Sequence, residues 1–114
     1  MSSYIGKILR VNLTSGSVVT EPLPHEKAKA YLGGRGLAGK MLSEEIPIGV
    51  DPLSAENKIF FATGPLTGTS IPTSGRYMVV TKSPLNNVIS SSNSGGFWGA
   101  ELKFAGYDMV VIEG

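Results

Sequence analysis

Hydrophobic and polar positions alternate over the first stretch of the chain. Ile5, Leu9, Val11 and Leu13 share one parity, with Lys7 the polar member of that set. Gly6, Arg10 and Asn12 share the other parity, and Ile8 interrupts it. A period of two predicts a half-buried strand. Thr14-Ser15-Gly16 supplies turn chemistry, with Gly16 suited to a positive φ. Ser17 to Glu21 then pairs back, so the chain is expected to open with a β-hairpin.

The period changes after this. Pro24 suits the first turn of a helix and Glu26 suits its positive N-terminus. Ala28, Tyr31, Leu32, Leu37, Ala38, Met41, Leu42 and Ile46 recur at helical spacing. Gly33, Gly34 and Gly36 interrupt them, each costing ~1 kcal/mol relative to alanine inside a helix. One broken helix or two short ones are expected, ending before Pro47. Asp51 to Ser54 reads as a loop, and Ile59 to Ala62 as a short buried strand.

Thr63 to Gly75 is rich in Gly, Pro, Ser and Thr, and too poor in apolar residues to be a core element. Tyr77 to Thr81 is β-rich and is expected to pair with Val88 to Ser92. Ser94-Gly95-Gly96 leads into a short helix carrying Phe97, Ala100, Leu102, Phe104 and Ala105, with Gly106 as its C-cap. Phe97, Trp98 and Phe104 are expected in the core, and Glu101 and Lys103 in solvent. Asp108 to Glu113 reads as a last strand. Connections between the strands look short. The pattern therefore predicts an α+β domain with a mainly antiparallel β-sheet and two helical segments.

Composition narrows the possible functions. The 114 residues leave room for one domain. The formal charge of +1 gives no field that would favour nucleic acid. No cysteine is present, which excludes disulfides, thiolate metal sites and an iron–sulfur cluster held by this chain alone. His25 is the one histidine, which excludes a multi-histidine zinc site. No apolar run approaches the ~20 residues of a membrane span, and Met1 to Tyr4 lacks the apolar core of a signal peptide. A cytoplasmic location is the expectation. A natural domain seldom stops directly on a hydrophobic strand, so more chain is expected beyond Gly114.

Three segments carry candidate chemistry. Gly34 to Gly39 matches a dinucleotide fingerprint, and Gly34 to Lys40 matches most of a phosphate loop. Both patterns need a strand before the first glycine, whereas Ala28 to Leu32 is helical in pattern. Met41 also stands where the phosphate loop needs a hydroxyl. The competing reading is a helix break that permits close packing. Gly64 to Gly75 offers backbone N–H groups and small residues, and Arg76 follows with a planar fork suited to phosphate. The alternative there is a surface loop with a solvated arginine. Ser90 to Gly96 is a second polar, glycine-containing bend. In it Asn93 can serve a polar ring edge or, together with Ser94, cap a helix. No carboxylate pair suited to acid–base work is visible, and no catalytic residue or metal ligand is assigned.

Taken together, several stretches resemble one family. They are Ile8 to Thr14, Leu32 to Ala38, Asp51 to Ser54, Gly64 to Thr69, Gly75-Arg76-Tyr77 and Asn93 to Asp108. They are similar to the N-terminal region of tungsten-containing aldehyde ferredoxin oxidoreductases, in order, across nearly the whole chain. The resemblance implies oxidation of aldehydes to carboxylic acids with ferredoxin as electron acceptor. It implies a tungsten bis-pterin cofactor (tungstopterin) and a [4Fe–4S] cluster whose ligands lie outside this chain. It implies that residues 1–114 are the first half of a duplicated pterin-binding base domain, inactive alone. It carries the pterin contacts onto Arg76, Asn93 and Gly95. Two rival readings are a stand-alone binding or scaffold module, and a nucleotide-binding protein using Gly34 to Lys40. A missing half should leave a bare strand edge and apolar surface, so self-association into a homo-oligomer is expected.

Overall fold

The computed structural model describes residues 3–114; Met1 and Ser2, part of the leader reading, lie outside the described residues. Strands β1 (Lys7–Asn12) and β2 (Val18–Pro22) form the expected hairpin. Gly16 turns at a φ of 74°, and the Asn12 side chain accepts hydrogen bonds from the Thr14 and Ser15 N–H groups. The glycine-broken helix is two helices, α1 (His25–Tyr31) and α2 (Gly34–Glu45). Leu32 and Gly34 both take positive φ between them. Then come β3 (Lys58–Ala62), β4 (Tyr77–Lys82), β5 (Ile89–Ser94), α3 (Trp98–Phe104) and β6 (Met109–Glu113). Gly106, at a φ of 102°, follows α3 as its sequence suggested.

The six strands form one sheet in the order β2-β1-β6-β3-β4-β5. Neighbouring strands run antiparallel except β1 and β6, which are parallel. The short-connection argument governs strands adjacent in sequence. It does not reach β1 and β6, which most of the chain separates, so these two are free to run parallel. The last strand thereby joins the first hairpin to the β3–β4–β5 meander.

Helices α1 and α2 cover one face of the sheet. Leu37, Ala38, Met41 and Leu42 of α2 pack on Ile8, Phe60, Val80, Met109 and Val111 in a single buried cluster. This corrects the parity read for β1. Ile8, the apparent exception, is 1% exposed in the core, while Ile5 and Leu13 are exposed. Leu9 and Val11 point to the other face, where they are half-buried. Both faces are apolar here, so the alternation marked two surfaces correctly but not which one the helices cover. Arg10 shares the face of Ile8. It reaches a rim where Glu21, Glu45 and Glu113 lie 2.8–2.9 Å from its guanidinium, and Lys58 joins Glu45 and Glu113.

Glu101 of α3 is exposed as expected, but the expectations for its aromatic residues and for Lys103 reverse. Phe97 is 84% exposed, Phe104 67% and Trp98 41%, whereas Lys103 is 5% exposed. Helix α3 lies at one end of the sheet instead of under it. Its Trp98 ring packs against Phe61 and Tyr77, with centroids 5.7 and 4.5 Å away. Among the described residues, no helix is long and apolar enough to cross a membrane.

Candidate functional site

Strand register builds the site. Tyr77 at the head of β4 pairs with Ser94 at the end of β5. The next positions outward are Arg76 and Gly95, so the two glycine-containing bends emerge side by side. Met78 pairs with Asn93, and residues two apart along a strand share a face. Arg76 and Asn93 therefore project to the same side. Arg76 Nη1 donates to Asn93 Oδ1 at 2.7 Å. A Cβ at Gly95 would lie 3.6 Å from Arg76 Nε and 3.7 Å from its Cζ, so the guanidinium lies flat against bare backbone. The three residues singled out from the sequence are thus brought together.

Asn93 and Ser94 do not cap α3. Phe97 holds the N-cap position, with no side-chain hydrogen bond, and Ser94 still belongs to β5. Asn93 is left exposed, and among the described residues its side chain is engaged through its oxygen, by Arg76. Its amide nitrogen keeps both donors for a ligand.

The loop from Thr63 to Gly75 packs closely behind the two bends. Thr67 is buried, and its hydroxyl accepts the Gly64 N–H at 3.1 Å. Lys103 Nζ binds the Gly64 carbonyl at 3.1 Å, the Ser3 carbonyl at 2.9 Å and Asp108 Oδ1 at 2.8 Å. The Asp108 carboxylate also accepts the N–H groups of Ile5, Gly6 and Lys7. Every donor of the buried ammonium is used, which is the condition for a buried charge to persist. Sequence reading missed this pair, since it assigns Lys103 to solvent and reads Asp108 only as the start of the last strand.

Gly33 and Gly34 bring the break between α1 and α2 onto the same loop. A Cβ at Gly33 would lie 2.9 Å from the Thr63 carbonyl oxygen, and the Gly34 N–H donates to that oxygen at 2.9 Å. A cavity of about 550 Å³ opens beside Arg76, lined by Leu32, Gly34, Pro65, Leu66, Ile71 and Met78 among others. That size suits a small organic group. The nucleotide pattern is not realised. Helix α1 precedes Gly34, residues 35–40 lie inside α2, and Lys40 is engaged by Glu44 at 3.3 Å.

The donor set fits a phosphorylated ring. A guanidinium serves the anion, an amide serves the ring edge, and glycine backbone allows close approach. It does not fit a metal held directly by protein. Among the described residues no group of three or more His, Cys, Asp or Glu is placed to hold a metal ion, and the chain has no cysteine.

Comparison with known proteins agrees with the resemblance. The family model for the aldehyde ferredoxin oxidoreductase N-terminal domain matches residues 8–114. The tungsten-containing aldehyde ferredoxin oxidoreductase of Pyrococcus abyssi is 60% identical over 114 residues, which is 100% of this chain and 19% of that protein. Its counterpart in Pyrococcus horikoshii is 57% identical with the same coverage. The solved active site complex BamBC of benzoyl coenzyme A reductase, in complex with 1,5 dienoyl-CoA, superposes with a TM-score of 0.96 at 39% identity. That match covers 99% of this chain and 17% of the other. The chain therefore spans about a fifth of the length of the relatives it matches.

Proposed function

The chain belongs to the aldehyde ferredoxin oxidoreductase N-terminal domain family, and we propose that its two bends receive a phosphorylated pterin of a tungsten bis-pterin cofactor within a larger enzyme. In this reading Arg76 neutralises a cofactor phosphate, Asn93 hydrogen-bonds the polar edge, and Gly95 admits the group at close range. The observation that carries it is the 2.7 Å contact between Arg76, just before β4, and Asn93, near the end of β5, two side chains 17 positions apart. When bound, the cofactor supplies the two-electron redox centre at which an aldehyde becomes a carboxylic acid. The protein's part here is binding and orientation. The electrons would leave through a [4Fe–4S] cluster held elsewhere in the enzyme, to a ferredoxin in the cytoplasm.

The choice of substrate is assigned to the remainder of the enzyme. The solved relative with a TM-score of 0.96 is a benzoyl coenzyme A reductase, so a domain of this shape accompanies different substrates. The remainder is also the proposed partner of the open sheet face. Leu9, Val11, Ile59, Phe61, Val110 and Ile112 form a half-buried apolar surface there, opposite α1 and α2. Expressed by itself, residues 1–114 should self-associate through that surface and show no aldehyde-dependent dye reduction.

The test is cofactor occupancy in the full-length enzyme. Arg76→Ala and Asn93→Ala should each lower tungsten and pterin per folded polypeptide, with the unfolding midpoint of the cofactor-free protein unchanged because both side chains are exposed. Full occupancy in both variants would overturn the assignment.

A further inference from the structure

We propose that Thr67 and Gly99 are positioning residues for Arg76; this rests on the reading of Arg76 as a ligand of the cofactor phosphate. The Arg76 side chain is exposed, and among the described residues its one hydrogen-bond partner is Asn93. Where its guanidinium starts from is set by the backbone at Gly75 and Arg76, just before β4. Two groups hold that backbone.

Thr67 is 4% exposed. Its hydroxyl accepts the Gly64 N–H at 3.1 Å and donates to the Arg76 carbonyl at 3.4 Å. One buried hydroxyl thus ties the start of the loop to the residue that ends it. Its single proton is directed to Arg76, because the other contact is with an N–H donor.

Gly99 lies buried on α3 and faces the same backbone. A Cβ there would stand 3.1 Å from the Gly75 carbonyl oxygen and 3.2 Å from Thr67 Cγ2. Helix α3 can approach the Arg76 strand this closely only because residue 99 has no side chain. A Cβ at Gly75 would likewise lie 3.3 Å from the Gly96 carbonyl oxygen. Since α3 follows closely on Gly95 and the end of β5 that carries Asn93, the Gly99 contact also sets the spacing between Arg76 and that end of β5. Neither residue bears a charge, so their effect on an anion must pass through the placement of Arg76.

The test uses the full-length enzyme loaded with cofactor. Release of tungsten and pterin into a chelating buffer is timed alongside the unfolding midpoint. Thr67→Val keeps the shape and removes the hydroxyl. It should speed release roughly two- to tenfold, the range set by one net hydrogen bond. Thr67→Ser keeps the hydroxyl and should release at the wild-type rate. Gly99→Ala should speed release at least as much as Thr67→Val. Val111→Ala, in the core away from both bends, should lower the midpoint without speeding release from folded protein. Wild-type release in Thr67→Val, with fast release in Arg76→Ala, overturns the positioning role and leaves the cofactor reading standing. Equal release from the serine and valine variants, or fast release from Val111→Ala, also overturns it. Wild-type release in Arg76→Ala removes the cofactor reading itself, and the positioning role with it. The serine–valine pair decides the matter even where Gly99→Ala fails to fold.

Discussion

Arg76 and Asn93 meet through a guanidinium N–H and an amide oxygen, 2.7 Å apart, so the pair keeps a net positive charge. Asn93→Asp would place a carboxylate against the guanidinium and cancel that charge. An exposed ion pair contributes about 0–1 kcal/mol, so stability should hold or rise slightly. Anion affinity should fall, by about tenfold if ~1.4 kcal/mol of attraction is lost. Cofactor retention and the thermal unfolding of the cofactor-free protein, measured on the same variant, should move independently. A parallel loss of both would show that Asn93 matters for folding alone.

Two glycines near and within α2 should respond with opposite signs. Gly33→Ala would press a methyl to within 2.9 Å of the Thr63 carbonyl and 3.0 Å of Gly64 Cα. Both neighbours are backbone, so the cost should be about 1–3 kcal/mol. Gly39 lies inside α2, and a methyl added there would meet nothing within 4 Å. Gly39→Ala should raise stability by roughly 0.5–1 kcal/mol through helix propensity. Equilibrium unfolding in denaturant measures both.

The Lys103–Asp108 pair, at 5% and 4% exposure, should be costly to break. Asp108→Asn leaves a buried ammonium without its counter-charge, at about 3–5 kcal/mol. The Ile5 and Gly6 amides donate to the Asp108 carboxylate at 3.0 and 2.6 Å. Their hydrogen exchange should quicken in the variant more than exchange at the Phe60 amide in the sheet centre. Uniform acceleration would count against the specific anchoring.

Acid should weaken the rim around Arg10. For Glu45 and Glu113, burial pushes the carboxyl pKa up, but hydrogen bonds from Arg10 and Lys58 outweigh it, leaving both below the ordinary 4.5. A depressed folded pKa contributes stability above the unfolded value, and that contribution drains away as pH falls through 4.5 toward the folded value. Arg10→Met should remove about 1–3 kcal/mol at neutral pH and flatten the loss between neutral and acid. Unfolding midpoints recorded from neutral pH down through the carboxylate range would test it; an unchanged slope in Arg10→Met would assign the acid sensitivity to other carboxylates.

Local signals in the sequence were sufficient where structure depends on near neighbours. The Gly16 turn, the helix break at Gly33-Gly34 and the Gly106 cap follow from backbone freedom at single residues. The pairing of β4 with β5 follows from two strands joined by a short loop, and it brings Arg76 beside Gly95. The naming of Arg76, Asn93 and Gly95 came from the family resemblance, and this pairing is what sets the three side by side. What failed was burial. Phe97 and Lys103 exchanged their expected places because α3 lies at the end of the sheet, where an aromatic ring can face outward and an ammonium can collect three oxygen partners.

By itself the sequence determined the element types, the two glycine-lined bends and the identity of the groups they carry, because these depend on side-chain chemistry and on contacts between neighbours along the chain. Only the tertiary structure decided that β6 inserts in parallel beside β1, that Ile8 and not Leu9 faces the helices, and that Thr67 and Gly99 stand behind Arg76. Those choices depend on contacts between residues far apart in sequence. Several apolar arrangements satisfy the same local pattern, and the close packing of the whole chain selects one.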